Sequence, residues 1–195
     1  MKFIGFYNYT VVLTYLSLVS GLFGIKFAHE GRGGLAILCL VISGVCDMFD
    51  GVVARTKKNR TADEKNFGIQ LDSLCDVICF GVTPAIILYF SGVNTALGIA
   101  GLIFYSLCAV IRLAFFNVLE TKRQTTESGC AKSYRGLPVT SSAIIFPFFY
   151  VISPLIPCDI LRVIYHALPF VVGFFFIFDF SIPKIDIGKM LVRKK

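Results

Sequence analysis

Four of the twelve acidic residues in this chain stand at helical spacing inside otherwise apolar sequence: Asp47 and Asp50, then Asp72 and Asp76. They fall in the stretch CDMFDGVVARTKKNRTADEKNFGIQLDSLCDVICFGVTP, from Cys46 to Pro84. At about 100° per residue, an i,i+3 pair and an i,i+4 pair each project from one helix face. An ionised side chain at the centre of a bilayer helix costs at least about 2.5–3.5 kcal/mol on insertion scales, so intramembrane acids are functional candidates by default. Two facing carboxylate pairs would repel one another strongly. Two divalent cations would cancel that charge, and hard carboxylate oxygens with no histidine nearby suit Mg²⁺, Mn²⁺ or Ca²⁺ rather than zinc. Polar glue between helices is the plainer reading, but Asn, Ser or Thr would supply it at lower cost.

The neighbouring residues suggest a phosphorylated substrate. Gly51, directly after Asp50, lets a ligand approach the backbone. Arg55 follows one turn later and can pair with phosphate oxygens. Gly68 is expected to open the next helix, whose first amides and positive dipole end would favour an anion. An Arg near a membrane helix end on its own commonly just snorkels. Divalent metals, Arg and a helix N-terminus together describe a diphosphate site.

The elements that must position these residues are membrane helices. Hydrophobic residues make up 56% of the 195 and charged residues only 16%, against about 25% charged in soluble domains. This composition excludes a disordered chain, a collagen-like fibre and a charged coiled coil. Apolar runs predict six spans, at about 10–28, 34–54, 68–90, 96–118, 137–156 and 160–180. The first has no clean cleavage site and reads as a retained helix. With the N-terminus inside, the cytoplasmic side collects fifteen of the nineteen Lys and Arg residues and the outside three. That asymmetry predicts an all-α integral membrane protein with six transmembrane helices and both termini cytoplasmic. It also accounts for the net charge of +7 without nucleic acid. No linker divides residues 1–195, so a single domain is expected. The seven cysteines, mostly within apolar runs, read as small buried hydrophobes. His29, His166 and Asp179 read as boundary residues.

Asp47-x-x-Asp50-Gly51-x-x-Ala54-Arg55, followed by Gly68-x-x-x-Asp72-x-x-x-Asp76, resembles the signature of the CDP-alcohol phosphotransferases. Eight fixed positions in order make the resemblance specific. It implies a six-helix membrane enzyme, a homodimer, that transfers a phospho-alcohol from a CDP-linked donor with release of CMP. It further implies metal ligation by Asp47, Asp50, Asp72 and Asp76, and donor contacts at Gly51, Ala54, Arg55 and Gly68. Twelve residues separate Arg55 from Gly68, more than is usual in the family, and the polar excess is expected to bulge into the cytoplasm.

Further segments resemble the bacterial-type phosphatidylserine synthases: LDSLCDVICFGVTPA (71–85), RLAFFNV (112–118), YRGLP (134–138) and TYLSLVSG (14–21), the last with Ser17 where Asn is common. The implied substrates are CDP-diacylglycerol and L-serine, and the implied place is the cell membrane with the active site facing the cytoplasm. Arg112 and Arg135 could hold a serine carboxylate or a donor phosphate, or Arg112 could pair with an Asp of the cluster. Ser73 is a further candidate contact, or a helix–helix hydrogen bond. In the expected reaction Asp76 takes the proton from the serine hydroxyl while Mg²⁺ or Mn²⁺, two ions, grip the diphosphate. Glycerol 3-phosphate or inositol as acceptor is a second reading, less favoured because an acceptor phosphate would want more basic residues. A divalent-cation transporter is a third, which leaves Gly51, Arg55 and Gly68 without a role.

Overall fold

The computed structural model describes residues 4–57, 59–125 and 133–183, with the side chains of 122–125, 133–135 and 181–183 left out. Helices dominate. A short 3₁₀ turn leads into α1 (Val12–His29), and α2 (Gly33–Thr56) returns antiparallel to it. The third span combines α3 (Ala62–Asp76), a π-helical segment (Val77–Val82) and α4 (Thr83–Phe90). Then come α5 (Ala96–Thr125), α6 (Ser142–Ile152) and α7 (Cys158–Ile177). A two-stranded antiparallel ribbon joins β1 (Ser133–Arg135) to β2 (Ser181–Pro183), with Tyr134 opposite Ile182.

Among the described residues, five helices are long and apolar enough to cross a membrane. The predicted span 137–156 is the exception. It folds as a shorter apolar helix, Val139–Leu155, with α6 between two 3₁₀ turns and Pro147 inside. Long apolar side chains face outward, as on α1 (Leu16, Val19, Phe23) and α5 (Ile103, Leu107, Ile111). A bilayer would cover such surfaces, whereas a soluble monomer rarely carries so many. Six of the seven cysteines are free thiols, and Cys130 lies outside the described residues.

Without water to squeeze out between helices, membrane packing depends on close backbone approach and on hydrogen bonds. The α1–α2 seam follows that rule. Ser17, Gly21, Gly24 and Ala28 recur at helical spacing on α1 and are buried. Ser17 lies 2.7 Å from the Ser43 hydroxyl, and Ser20 donates to the Cys39 carbonyl at 2.8 Å. On the other side of α2, Gly44 meets α6 so closely that a Cβ there would lie 2.5 Å from the Ala143 Cβ.

The π segment has a local cause. Pro84 has no N–H, so the carbonyl of Phe80 loses the donor that a continuous α-helix would give it. The Tyr105 hydroxyl of α5 donates to that carbonyl, and so does Ser142 Oγ of α6, at 3.3 Å. The Thr83 amide reaches back five residues to Ile78, as π geometry requires. Tyr105 itself is fully buried, with Phe146 and Phe176 ring centroids 5.5 and 5.4 Å away. One carbonyl thus joins three helices directly beyond Asp76.

Candidate active site

The four aspartates converge between the C-terminal half of α2 and the last turns of α3. Asp47, Asp50 and Asp72 each offer a carboxylate oxygen, and the three oxygens lie within 4.8 Å of one another. Asp76, 7% exposed, sits within hydrogen-bonding reach of Asp47, and Asp72 within reach of Asp50. Thr14 of α1 donates to Asp50 Oδ2 at 3.0 Å, fixing that carboxylate from a third helix. Beneath the cluster Ser17 Oγ contacts both the Ser43 carbonyl at 3.1 Å and Cys79 Sγ at 3.7 Å. One oxygen of Asp72, Oδ1, is buried without a hydrogen-bond partner. A buried carboxylate oxygen left without a donor, among acids this close, is the arrangement a hard cation satisfies. The donor set therefore fits a divalent metal at Asp47, Asp50 and Asp72, with Asp76 adjoining.

The loop between α2 and α3 corrects one expectation. Helix α3 starts at Ala62, not at Gly68, because Thr61 and Glu64 form a reciprocal capping box. Gly68 lies within the second turn, and its amide is not a free helix-end donor. Glu64 is tied further, by Lys57 Nζ at 2.7 Å and by Asn8 Nδ2 at 3.4 Å. The smallness of Gly68 has another use. The Arg60 guanidinium lies over it, so that a Cβ at 68 would be 2.7 Å from Nη2.

Arg60 also reaches the Ala54 carbonyl at 3.5 Å and the Glu64 carbonyl at 3.2 Å, while its Nε is buried without a partner. It thereby touches two of the positions expected to contact the donor, Ala54 and Gly68. Arg60 was legible only as one loop cation among five. Its packing follows from the folded loop. Gly51 is half-buried one residue from Asp50, and a Cβ there would make only an ordinary 3.5 Å contact with Arg55 Nη1. The chain's own packing does not require glycine at 51. Arg55 is exposed at the end of α2 and folds back towards Gly51.

The remaining candidates lie elsewhere. Ser73 donates to Asn117 Oδ1 of α5 at 2.7 Å, a helix–helix bond. Arg112 is buried on α5, where its Nε donates to the Leu137 carbonyl at 3.3 Å. The acidic charge acting on it is that of Asp179, not of a cluster aspartate. Asp179 was missed because it lies 67 positions from Arg112 in a terminal segment. Arg135 ends β1, and its side chain lies outside the described residues. His166 is held by the Arg162 carbonyl and by Thr95, at 2.8 and 3.0 Å, and takes no part in the cluster.

Comparison with known proteins meets the same residues. The sequence profile described as CDP-alcohol phosphatidyltransferase matches residues 7–175. The chain is 34% identical over 133 residues to a CDP-diacylglycerol–serine O-phosphatidyltransferase of Mycobacterium leprae, covering 68% of this chain and 43% of that protein. It is 34% identical over 144 residues to an archaetidylserine synthase of Methanothermobacter thermautotrophicus, covering 71% and 56%. A CDP-diacylglycerol–serine O-phosphatidyltransferase of Methanocaldococcus jannaschii is 29% identical over 174 residues, covering 88% and 72%. The chain spans less than half the length of the mycobacterial relatives it matches. No solved structure matches it significantly. With the profile running through all four aspartates and most of the chain, this protein belongs to the CDP-alcohol phosphatidyltransferase family.

Proposed function

We propose that the chain transfers a phosphatidyl group from CDP-diacylglycerol to the hydroxyl of L-serine, giving phosphatidylserine and CMP. The observation that carries this reading is the convergence of Asp47, Asp50, Asp72 and Asp76 beside Gly51 and Arg60. That grouping offers hard oxygen ligands next to a phosphate-pairing cation and an uncovered stretch of backbone. The serine-transferring relatives favour serine as acceptor.

Asp47, Asp50 and Asp72 would hold divalent cations, Mg²⁺ or Mn²⁺, which would supply charge neutralisation for the donor's diphosphate. Thr14 keeps the Asp50 carboxylate oriented. Arg55 and Arg60 pair with the donor phosphates over Gly51 and Gly68. Asp76 is aligned by its burial against Asp47 and the π segment behind it. It takes the serine hydroxyl proton as the oxygen attacks the phosphorus bearing the lipid. The new O–P bond forms while the bond to the CMP oxygen breaks, and CMP leaves with that electron pair.

The site lies at the end of the bundle that carries the basic α2–α3 loop, so it faces the cytoplasm of a cell membrane. Six spans, with Val139–Leu155 as the short one, both termini cytoplasmic and a homodimeric assembly complete the proposal. Purified protein in mixed micelles should release CMP from CDP-diacylglycerol only on addition of L-serine and Mg²⁺ or Mn²⁺. Release with glycerol 3-phosphate or inositol in place of serine would move the acceptor, and cation flux without CMP release would replace the enzyme by a transporter.

A further inference from the structure

One carboxylate closes the loop between α2 and α3. Glu64 Oε2 accepts from the Thr61 N–H at 3.0 Å, and Thr61 Oγ1 accepts from the Glu64 N–H at 3.1 Å. That capping box occupies one oxygen of the side chain. The other, Oε1, accepts from Lys57 Nζ at 2.7 Å and from Asn8 Nδ2 at 3.4 Å. An exposed ion pair fixes little, but the Lys57 and Glu64 side chains are only 27% and 15% exposed. Lys57 and Thr61 stand on either side of Arg60 in the chain, so a single side chain gathers both approaches to it.

The third donor comes from outside the loop. Asn8 belongs to the segment leading into α1, where its Oδ1 caps the 3₁₀ turn by accepting from the Thr10 N–H at 3.0 Å. This segment lies across both helix ends. The Tyr9 hydroxyl is 3.1 Å from Thr56 Oγ1 at the end of α2. The Phe6 ring meets Phe67 of α3 edge-on, with centroids 5.5 Å apart. A helix cap needs only the Thr61 bonds. The bonds to Lys57 and Asn8 go beyond it, at a residue whose own carbonyl also accepts from Arg60 Nη2, at 3.2 Å.

We infer that Glu64 is a positioning residue of the donor site, which holds Arg60 over Gly68 and Ala54 before CDP-diacylglycerol arrives, with Lys57 and Asn8 as its anchors. This rests on the proposed pairing of Arg60 with the donor phosphates and adds the residues that act through it. A loop arginine left free loses many rotamers on binding a ligand, a cost that falls on affinity. Here the guanidinium is already seated, 3.5 Å from the Ala54 carbonyl and against Gly68, with its Nε buried and unpartnered. Glu64 precedes Asp72 by eight residues, about 12 Å along α3, too far to touch the reacting groups. Its contribution therefore falls on the KM for the donor and not on the chemical step.

Steady-state CMP release by the full chain in mixed micelles tests this with Glu64→Gln. Glutamine keeps the capping box but not the charge that holds Lys57. The KM for CDP-diacylglycerol should rise roughly two- to tenfold, the range for leaving one long side chain unordered, with kcat and the KM for serine unmoved. Asn8→Ser keeps an acceptor for the 3₁₀ turn, leaves α3 untouched and should shift the donor KM in the same direction. Glu64→Gln combined with Arg60→Gln should be no worse than Arg60→Gln alone, because Glu64 acts through Arg60. A donor KM in Glu64→Gln at or below the wild-type value, or rises that multiply in the double variant, overturns the role of Glu64. So does a lowered Tm with a kcat loss and an unmoved donor KM, which marks a tie that serves the fold alone. An unchanged donor KM in Asn8→Ser overturns it too, whatever the stability of Glu64→Gln. Arg60→Gln with a wild-type donor KM overturns the phosphate pairing itself, and the role of Glu64 with it, while leaving serine transfer standing.

Discussion

Replacing Gly44 by Ala should separate α6 from α2 and weaken the whole site, although Gly44 touches no substrate. The added methyl would lie 2.5 Å from the Ala143 Cβ. Carbon atoms in van der Waals contact stand about 3.5–4.0 Å apart, so the two helices must part by roughly 1 Å or more. Neither group is a flexible side-chain end, and the strain must be taken up by backbone. Overpacking of this kind costs about 1–3 kcal/mol. The helix-propensity gain of Ala over Gly, about 1 kcal/mol in water, is largely forfeited in a bilayer, where a separated helix is already formed. For a chain of this size each kcal/mol shifts Tm by about 2–4 °C, so a fall of roughly 2–12 °C is expected.

Thermal unfolding in detergent micelles measures it, alongside serine-dependent CMP release. Activity should fall too, because Ser142, the residue before Ala143, holds the Phe80 carbonyl behind Asp76. The decisive variant exchanges the methyl: Gly44→Ala with Ala143→Gly restores the separation and should recover both Tm and activity. A single variant within about 1 °C of wild type, or a double variant no better than the single one, would refute the packing argument.

Four further outcomes follow from the site. Asp76→Asn should lower kcat by about 10²–10⁴, the range for loss of a general base, while CDP-diacylglycerol still binds; wild-type turnover would sink the role given to Asp76. Chelation by EDTA should abolish CMP release, and Mg²⁺ or Mn²⁺ should restore it, whereas full activity in chelator would contradict the ligand role of Asp47, Asp50 and Asp72. Arg60→Gln should raise the KM for CDP-diacylglycerol by roughly 10-fold or more, as expected when a charge-assisted hydrogen bond worth about 1.5–3 kcal/mol is lost, and leave the KM for serine alone. Tyr105→Phe removes a buried donor to the Phe80 carbonyl and should lower stability by about 1–3 kcal/mol, read as a Tm shift; an unchanged Tm would show that Ser142 satisfies that carbonyl alone.

The aspartates were legible because their signal is local: acids are conspicuous in apolar sequence, and helical spacing alone puts each pair on one face. The spans were legible for the same reason. Contacts made across the fold were not. The start of α3 at Ala62 depended on the capping box at Thr61 and Glu64, which the hydropathy of the span outweighed. The π segment depended on Pro84 together with hydroxyls from Tyr105 and Ser142, 25 and 62 positions from Phe80. Arg60 and Asp179 acquire meaning only when a loop folds over Gly68 and a terminal segment pairs with β1. The short span at Val139–Leu155 was hidden because its apolar run continues through the 3₁₀ turns and Pro147.

The wide turn beyond Asp76 also governs which changes of length the chain can survive. Removing one residue from Val77–Val82 would let an ordinary helix form and rotate everything after it by about 100°. Thr83 would then swing away from the Gly21 carbonyl it now faces at 3.4 Å, and α4 would present a different side to α1. Insertions and deletions are therefore closed to the third span just past Asp76. The nearest place where a change of length would not turn one spanning helix against its neighbours is the short loop between α2 and α3, residues 57–61. Divergence in length among related chains should collect in that loop and spare the π turn.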